Sequence, residues 1–158
     1  MKKIKVGRDS FAIVDDCNFE ELSKVKWHLL RHRTGNLYAY KVENGKGVLM
    51  HRYLLSVKEF SVKVDHKDGN GLNNQMHNLR LSTNSQNMMN RGKAAHNKSG
   101  YKGVSKEPGD NENLWRAQIT VSGKCIFIGC FSTPQDAARA YNEKALELHG
   151  EFAFLNQV

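Results

Sequence analysis

Residues 1–60 alternate short apolar stretches with turn-forming residues, a pattern that predicts a small mixed α/β module. Segments 3–6 and 10–14 predict two strands joined by a glycine-containing turn. Apolar residues spaced along 19–27 predict a weak helix that ends in Leu29-Leu30. Segment 38–50 predicts a hairpin, because two apolar stretches flank a turn-rich centre. We identify no chemistry in this module.

Residues 61–90 follow the order strand, loop, strand, helix. Val62 and Val64 alternate with polar residues and predict a short strand, and 79–81 predicts a second one. The loop between them is rich in Gly and Asn, which favour turns and left-handed backbone. A helix is expected over about 84–90.

Residues 101–158 predict a sheet backed by one helix. Apolar residues alternate with polar ones along 115–121, which predicts a half-buried strand, and a tight turn and a returning strand follow it. A helix is expected to begin after Thr133, a good N-cap residue, and to end at Gly150. The polar face of the first strand carries Arg116, Gln118 and Thr120.

The composition favours a polyanionic partner. The chain has 158 residues, with 24 Lys and Arg against 16 Asp and Glu, and a formal net charge of +8. Lysine and arginine that neutralise phosphates release condensed counterions, which favours binding to nucleic acid. Residues 91–100 form a basic connector without an acidic residue, expected either to track phosphates or to be a solvated linker.

The three cysteines form no C-x-x-C pair, so neither a disulfide framework nor structural zinc is expected. No apolar run approaches the roughly 18 residues that span a bilayer, and no signal peptide is recognised. We therefore expect no membrane partner and a reducing, cytoplasmic compartment.

One cluster offers a complete reaction centre for breaking a phosphodiester bond. That reaction needs an activated water, neutralised phosphoryl charge and help for the leaving alkoxide. His66 suits the general base, and Asp65 and Asn87 offer hard oxygen ligands to a divalent metal ion. Asn78 is expected to bond His66 and fix its tautomer. Asp65 and His66 should point apart along a strand, so the strand end must bend to serve one substrate. A hairpin with an ordinary polar loop is the alternative.

The segment from Val64 to Asn90 resembles the HNH endonuclease family of phages and mobile elements. The motifs that carry the resemblance are Val-Asp-His-Lys-Asp-Gly-Asn-Gly-Leu-Asn-Asn, Asn-Leu-Arg-Leu-Ser-Thr and Ser-Gln-Asn-Met-Met-Asn-Arg. The resemblance implies a ββα-metal fold, with Asp65 and Asn87 as metal ligands, His66 as general base and Asn78 orienting that base. It implies a divalent cofactor, Mg²⁺ with Mn²⁺ as the alternative. The final ligand position is Asn rather than His, a variant that still binds metal.

Residues 99–156 resemble the Apetala-2/ethylene-response-factor (ERF) DNA-binding domain. The motifs that carry this resemblance are Tyr101-Lys102-Gly103-Val104, Trp115-Arg116-Ala117-Gln118-Ile119, Ile128-Gly129-Cys130-Phe131, Ala137-Ala138-Arg139-Ala140-Tyr141 and Leu155-Asn156. The resemblance implies a three-stranded sheet that enters the major groove and one helix packed on its back.

The sheet departs from the plant members, which place several Arg and a second Trp on it, so their recognition sequence is not expected to transfer. This chain has Ser105, Thr120, Cys125 and Phe127 at or near those places. The residues expected to contact DNA are Lys93, Lys98, Lys102, Lys106, Arg116, Gln118, Thr120 and Lys124.

Together these patterns predict an α+β protein: an N-terminal mixed module (1–60), a ββα-metal HNH core (61–90), a basic linker (91–100) and an Apetala-2/ERF-like domain with a three-stranded antiparallel sheet packed on one helix (101–158). The expected function is metal-dependent cleavage of double-stranded DNA by a homing-type endonuclease, encoded by a bacterial host or a phage. The alternative is a non-catalytic DNA-binding regulator with a vestigial HNH fold, and a structured-RNA binder is weaker still. The sequence leaves monomer and homodimer open.

Overall fold

The computed structural model describes residues 1–33, 35–109 and 113–158. The chain forms two compact units, Met1–Asn84 and Ser85–Val158. The predicted α+β class is confirmed, because both units combine helices with small antiparallel sheets. None of the helices in the described part of the chain has the length and apolar character needed to cross a bilayer.

The first unit is built from three small antiparallel sheets and short helices. Its elements are β1 (Lys2–Val6), β2 (Ser10–Val14), α1 (Asp16–Ser23), β3 (His28–Arg31), β4 (Leu37–Glu43), β5 (Lys46–Leu49), α2 (Met50–Leu54), β6 (Lys63–His66), a 3-10 helix (Met76–Asn78) and β7 (Leu79–Ser82). β1 pairs with β2, β4 lies between β3 and β5, and β6 pairs with β7. The strand–loop–strand arrangement predicted for the middle segment is therefore present.

One apolar core holds the N-terminal elements of this unit together. Alternate residues of β1 and β2 point into it, as the period of two of a strand requires. Its buried members are Ile4, Val6, Ala12, Val14, Leu22, Trp27, Ala39 and Met50. Both strands of the hairpin therefore present an apolar face to α1 and β4.

The helix predicted over 19–27 lies earlier in the chain, at Asp16–Ser23, and Leu29-Leu30 belongs to a strand. α1 ends at Ser23, and the indole Nε1 of Trp27 donates to the backbone oxygen of Leu22 at 2.9 Å. The chain then forms β3, in which Leu29 pairs with Ala39 of β4. Pairing with a distant strand overrides the weak helical spacing, which sequence periodicity does not detect.

The second unit is a three-stranded sheet covered by one long helix. Its elements are α3 (Asn84–Met89), which begins at the last residue of the first unit, β8 (Val104–Lys106), β9 (Trp115–Val121), β10 (Lys124–Phe131), α4 (Pro134–His149) and a 3-10 helix (Gly150–Phe152). The sheet is antiparallel, with β9 between β8 and β10. This is the sheet-and-helix arrangement that the sequence predicts.

Small residues let α4 lie close to the sheet. Ala137, Ala138 and Ala145 are fully buried on the face that covers β8 and β9. Thr133 begins the helix, since its Oγ1 accepts from the amide of Asp136 at 3.1 Å. The predicted start and end of this helix are confirmed.

Gly103 provides a test of this packing, because a side chain there would enter the helix–sheet contact. Its φ is +74°, and a Cβ would lie 2.2 Å from the Tyr141 ring and 2.6 Å from the Gln118 carbonyl oxygen. Gly100 has a similar φ of +85°, but a Cβ there would have no described atom within 4 Å. We expect Gly100→Ala to lower the free energy of unfolding by about 1 kcal/mol through backbone strain alone.

Gly103→Ala should lower the free energy of unfolding by about 1–3 kcal/mol more than Gly100→Ala does, because overpacking is added to the same backbone strain. Urea unfolding of both variants measures the difference. Equal losses would show that the close approach of Gly103 to Tyr141 contributes nothing.

Candidate active site

The two central site residues lie next to each other at the end of β6 and occupy opposite faces. Asp65 is paired with Arg80 of β7, and His66 is paired with Leu79. Both side chains are buried, each with 5% of its surface exposed. The alternation expected for a strand therefore sends the carboxylate and the imidazole to different partners.

Arg80 compensates the buried charge of Asp65. Its Nε and Nη2 lie 2.8 and 2.7 Å from Oδ2 of Asp65. The side chains of the pair are 9% and 6% exposed. An unpaired carboxylate at such a position would be strongly unfavourable, so the paired Arg80 guanidinium stabilises the buried Asp65 side chain.

His66 lies against two other aromatic rings and one amide. The His51 ring meets it edge-on, with centroids 4.9 Å apart and planes at 89°, and the Tyr38 ring lies 6.1 Å away. Nε2 of His66 lies 3.4 Å from Oδ1 of Asn74. The imidazole is thus enclosed on several sides by residues from β4, α2 and the loop.

The surroundings of His66 favour its neutral form. Burial lowers the pKa of the imidazole below its usual value, although the Asn74 bond and the carboxylates of Asp68 and Asp65 oppose that change. A neutral imidazole is the form that can accept a proton from water. His66 therefore has the protonation state that a general base needs.

Asn78 holds the loop that connects β6 to β7. Its Nδ2 donates to Oδ1 of Asp68 at 2.9 Å and to the backbone oxygen of Asn73 at 2.8 Å. Its Oδ1 accepts from the backbone amide of Asp68 at 3.1 Å. These bonds tie Asn78 to the loop, whereas the amide beside the His66 ring is that of Asn74. The orienting role predicted for Asn78 would thus act through the loop.

Asp68 is the centre of this loop network. Burial alone would raise its pKa, but hydrogen bonds from Asn73, from the backbone of Asn70 and from Asn78 outweigh it and hold the pKa below its usual value. The ionised carboxylate accepts from Nδ2 of Asn73 at 2.7 Å and from the amide of Asn70 at 2.8 Å. A stable, charged acceptor therefore organises the loop around the site.

Sequence reasoning missed three neighbours of His66 and Asp65: Asn74, Tyr38 and Arg80. Asn74 and Arg80 lie inside the HNH motifs, but the sequence does not show which way their side chains point. Tyr38 is 28 residues away from the site in the chain, and only the fold brings it near. His51 also lies ahead of the motifs in the chain, and the fold brings its ring against that of His66.

The predicted metal ligands fit a divalent ion of the magnesium type in their chemistry. Within residues 1–33, 35–109 and 113–158, no group of three or more His, Cys, Asp and Glu side chains is arranged to hold a metal. The donor set of Asp65 and Asn87 is instead one carboxylate and one amide. Mg²⁺ is commonly held by one or two carboxylates together with water and substrate phosphate. Asn87 lies on α3, where its side chain is partly exposed.

Arg116, expected to face the DNA groove, is engaged by an acidic neighbour. Its Nε and Nη2 lie 2.8 and 2.6 Å from the Glu107 carboxylate. Hydrogen bonds from Arg116 and from Cys130 lower the pKa of Glu107 to about 2. Arg116 is therefore neutralised in part on this sheet face, which also carries the partly buried Gln118 and the exposed Thr120.

The other predicted DNA contacts divide into one enclosed lysine and several exposed ones. Lys102 donates to the backbone oxygen of Met89, and its Nζ lies 5.5 Å from the centre of the Phe154 ring. Burial lowers its pKa to about 8, with a further lowering from Arg91. The exposed members of the set are Lys93, Lys98, Lys106 and Lys124.

Comparison with known proteins places this geometry in context. Residues 61–89 match a family described as HNH endonuclease. The chain is 34% identical over 157 residues to an uncharacterised HNH endonuclease of Acanthamoeba polyphaga mimivirus. This alignment covers 96% of this chain and 78% of the relative. The chain is also 36% identical over 90 residues to Protein 3.8 of Escherichia phage T7, in an alignment that covers 57% of this chain and 72% of that relative. No solved structure matches the chain significantly.

His51 predicts how the stability of the protein depends on pH. Burial lowers its pKa from 6.5 to about 3, with smaller contributions from His66 and Arg52, and its Nδ1 is buried without a hydrogen-bond partner among the described residues. Between these two pH values the unfolded chain binds a proton that the folded protein does not. Unfolding therefore becomes more favourable as the pH falls below about 6.5.

We expect His51 to account for a loss of about 2 kcal/mol in unfolding free energy between neutral pH and pH about 5. Urea denaturation at the two pH values, for the wild type and for His51→Phe, measures it. The variant should lose correspondingly less stability on acidification. The same pH dependence in both proteins would contradict the prediction.

Proposed function

The chain belongs to the HNH endonuclease family, and we propose that it is a metal-dependent DNA endonuclease of the homing type, with a C-terminal unit that binds double-stranded DNA. Family membership makes the protein a nuclease. The observation that carries the catalytic part of the proposal is the buried imidazole of His66, which is kept neutral at the end of β6.

His66 would act as the general base. Its neutral ring would take a proton from the attacking water, which makes the water nucleophilic toward phosphorus. Asn78 would support it by fixing the loop through Asp68. The divalent ion held by Asp65 and Asn87, which we propose to be Mg²⁺ with Mn²⁺ as a substitute, would neutralise phosphate charge and stabilise the leaving 3′ oxygen.

The surroundings of Asp65 support its role in binding a cation. The carboxylate is buried and compensated by Arg80, so its position is fixed before any ion arrives. A divalent ion bound here would share this fixed oxygen donor with the Arg80 guanidinium. Asn87 is assigned by the family motif alone, on the helix that follows β7.

Replacement of His66 tests the proposed chemistry. Supercoiled DNA incubated with Mg²⁺ or Mn²⁺ should be cleaved by the wild type and not measurably by His66→Ala, since losing a general base costs about 10²–10⁴-fold in rate. His32→Ala, which removes an exposed histidine of the same unit, serves as the matched control and should cleave normally. Chelation of the metal should abolish cleavage in every variant.

Two outcomes would change the proposal. Equal cleavage by the wild type and His66→Ala would exclude His66 as the base. Salt-sensitive DNA binding without cleavage under any metal would favour the alternative, a DNA-binding regulator in which the HNH fold is vestigial.

The proposed DNA-binding role of the second unit rests on its sheet and its exposed lysines. An antiparallel sheet backed by one helix leaves its other face open, and the sequence of this unit resembles the Apetala-2/ERF domain. Because Arg116 is paired with Glu107, phosphate contacts from the exposed lysines should contribute more than base contacts from the sheet. We therefore propose binding of moderate sequence specificity.

Salt dependence measures those phosphate contacts. In the His66→Ala background, replacing Lys93, Lys98, Lys106 and Lys124 by Ala should lower the slope of log K against log salt by about three to four, since each phosphate contact contributes about 0.9. The matched control replaces four exposed lysines of the first unit, namely Lys3, Lys5, Lys26 and Lys46. It makes the same change in net charge, so an equal loss of slope would show that only overall charge matters.

A further inference from the structure

Asn74 is the most deeply buried polar side chain of the catalytic loop. No part of it is exposed, although it lies only eight residues after His66 in the chain. Its Oδ1 lies 3.4 Å from Nε2 of His66, and its Nδ2 lies 3.5 Å from the backbone oxygen of Gly71. A buried amide that contacts a catalytic ring on one side and the backbone on the other can orient that ring.

The direction of the amide determines which ring nitrogen of His66 carries hydrogen. Nδ2 is a donor and is directed to the Gly71 carbonyl, so the oxygen of the amide faces the imidazole. An amide oxygen only accepts hydrogen bonds, and therefore Nε2 of His66 must be the protonated nitrogen. In the neutral ring Nδ1 then carries the lone pair that accepts a proton.

The N-terminal hairpin holds the backbone on which Asn74 is carried. Ile13 of β2 donates to the backbone oxygen of Leu72 at 2.8 Å, and it accepts from the amide of Asn74 at 2.8 Å. These bonds make a parallel bridge between Ile13 and Asn73. Asn74 is therefore fixed at its own backbone nitrogen, directly beside the side chain that meets His66.

The residues after Asn74 are attached to the same hairpin. The Asp15 carboxylate accepts from the amide of Met76 at 2.7 Å and from Nε2 of Gln75 at 3.3 Å. The segment before Asn74 thus bonds to β2, and the segment after it bonds to Asp15, the residue that follows β2. This attachment gives the first fifteen residues a role in the site, although they carry no chemistry of their own.

β4 confines the loop from another side. A Cβ at Gly71 would lie 2.4 Å from the Leu37 carbonyl oxygen and 2.5 Å from the Tyr38 ring. Only glycine permits so close an approach, and this approach places the Gly71 carbonyl where it accepts from Asn74. The amide of Asn74 therefore has its donor side occupied, which leaves its oxygen for His66.

We infer that Asn74 is the positioning residue that orients His66 and selects its Nε2–H form, and that the β1–β2 hairpin is the support that holds Asn74 in place. The inference rests on the proposed function for its consequence in catalysis. The geometry of the ring and the amide can be measured independently of any cleavage.

Proton and ¹⁵N NMR of the histidine rings of the full-length protein tests the contact. The His66 signal is assigned by its loss in His66→Ala. In the wild type we expect the ring proton of His66 on Nε2. In Asn74→Leu that signal should shift toward the position of a free imidazole. In Asn74→Asp, which keeps an acceptor oxygen, Nε2 should remain protonated and hydrogen-bonded. A proton on Nδ1 in the wild type, or a His66 signal unchanged in Asn74→Leu, would overturn the inference.

Cleavage kinetics test the consequence. Asn74→Leu should lower kcat by about 10- to 100-fold with KM unchanged, the size of effect expected from removing a residue that orients a catalytic group. Asn74→Asp should restore most of the rate. A change in KM alone would assign Asn74 a role in substrate binding and contradict positioning.

Thermal unfolding of each variant shows whether a change in signal or rate comes from loss of structure. The position of the ring proton in the wild type tests the inference even if a variant does not fold. If the wild type cleaves no DNA yet shows the Nε2–H signal and its dependence on Asn74, the proposed function fails while the contact stands.

Discussion

Two ionisable side chains buried at the end of one four-residue strand set the requirements for the whole first unit. A buried polar group without a partner costs several kcal/mol, and β6 belongs to a sheet of only two strands. Arg80 on β7 compensates Asp65, while His66 has the Asn74 amide of the loop and the His51 ring of α2 beside it. The N-terminal elements complete a site that β6 and β7 alone would leave open to water.

The sequence predicts best what local interactions determine. The hairpin of β1 and β2, the β6–β7 pair and the start of α4 at Thr133 are encoded by alternation, turn residues and a cap within a few positions. β3 was missed because it exists only by pairing with β4. In the site, the spacing of motifs identified which residue types are present, but not which of two asparagines faces the ring. That choice depends on the bonds of Ile13 to the loop, which link positions about 60 residues apart.

In the second unit, the side chains on the sheet bear on function more than the arrangement of the elements does. Its sheet and helix are those that the sequence resemblance implies, yet the polar face contains an ion pair between Arg116 and Glu107. An arginine already engaged by a carboxylate must give up that partner before it can bind a guanine edge, which reduces its net contribution to specificity. The exposed Lys93 and Lys98 lie in the connector that precedes the sheet, not on its polar face. In the proposed complex with DNA, these side chains would favour contacts that position the protein over contacts that read sequence.

The surroundings of His66 reconcile two requirements that oppose each other. A general base must be neutral before the reaction, and burial disfavours a charged imidazole. The protonated ring must nevertheless be tolerated once it forms. The Asn74 oxygen and the carboxylates of Asp68 and Asp65 favour that charged form. The charged form, when made, therefore already has a hydrogen-bond acceptor and two carboxylates nearby, and little of the site has to reorganise during proton transfer.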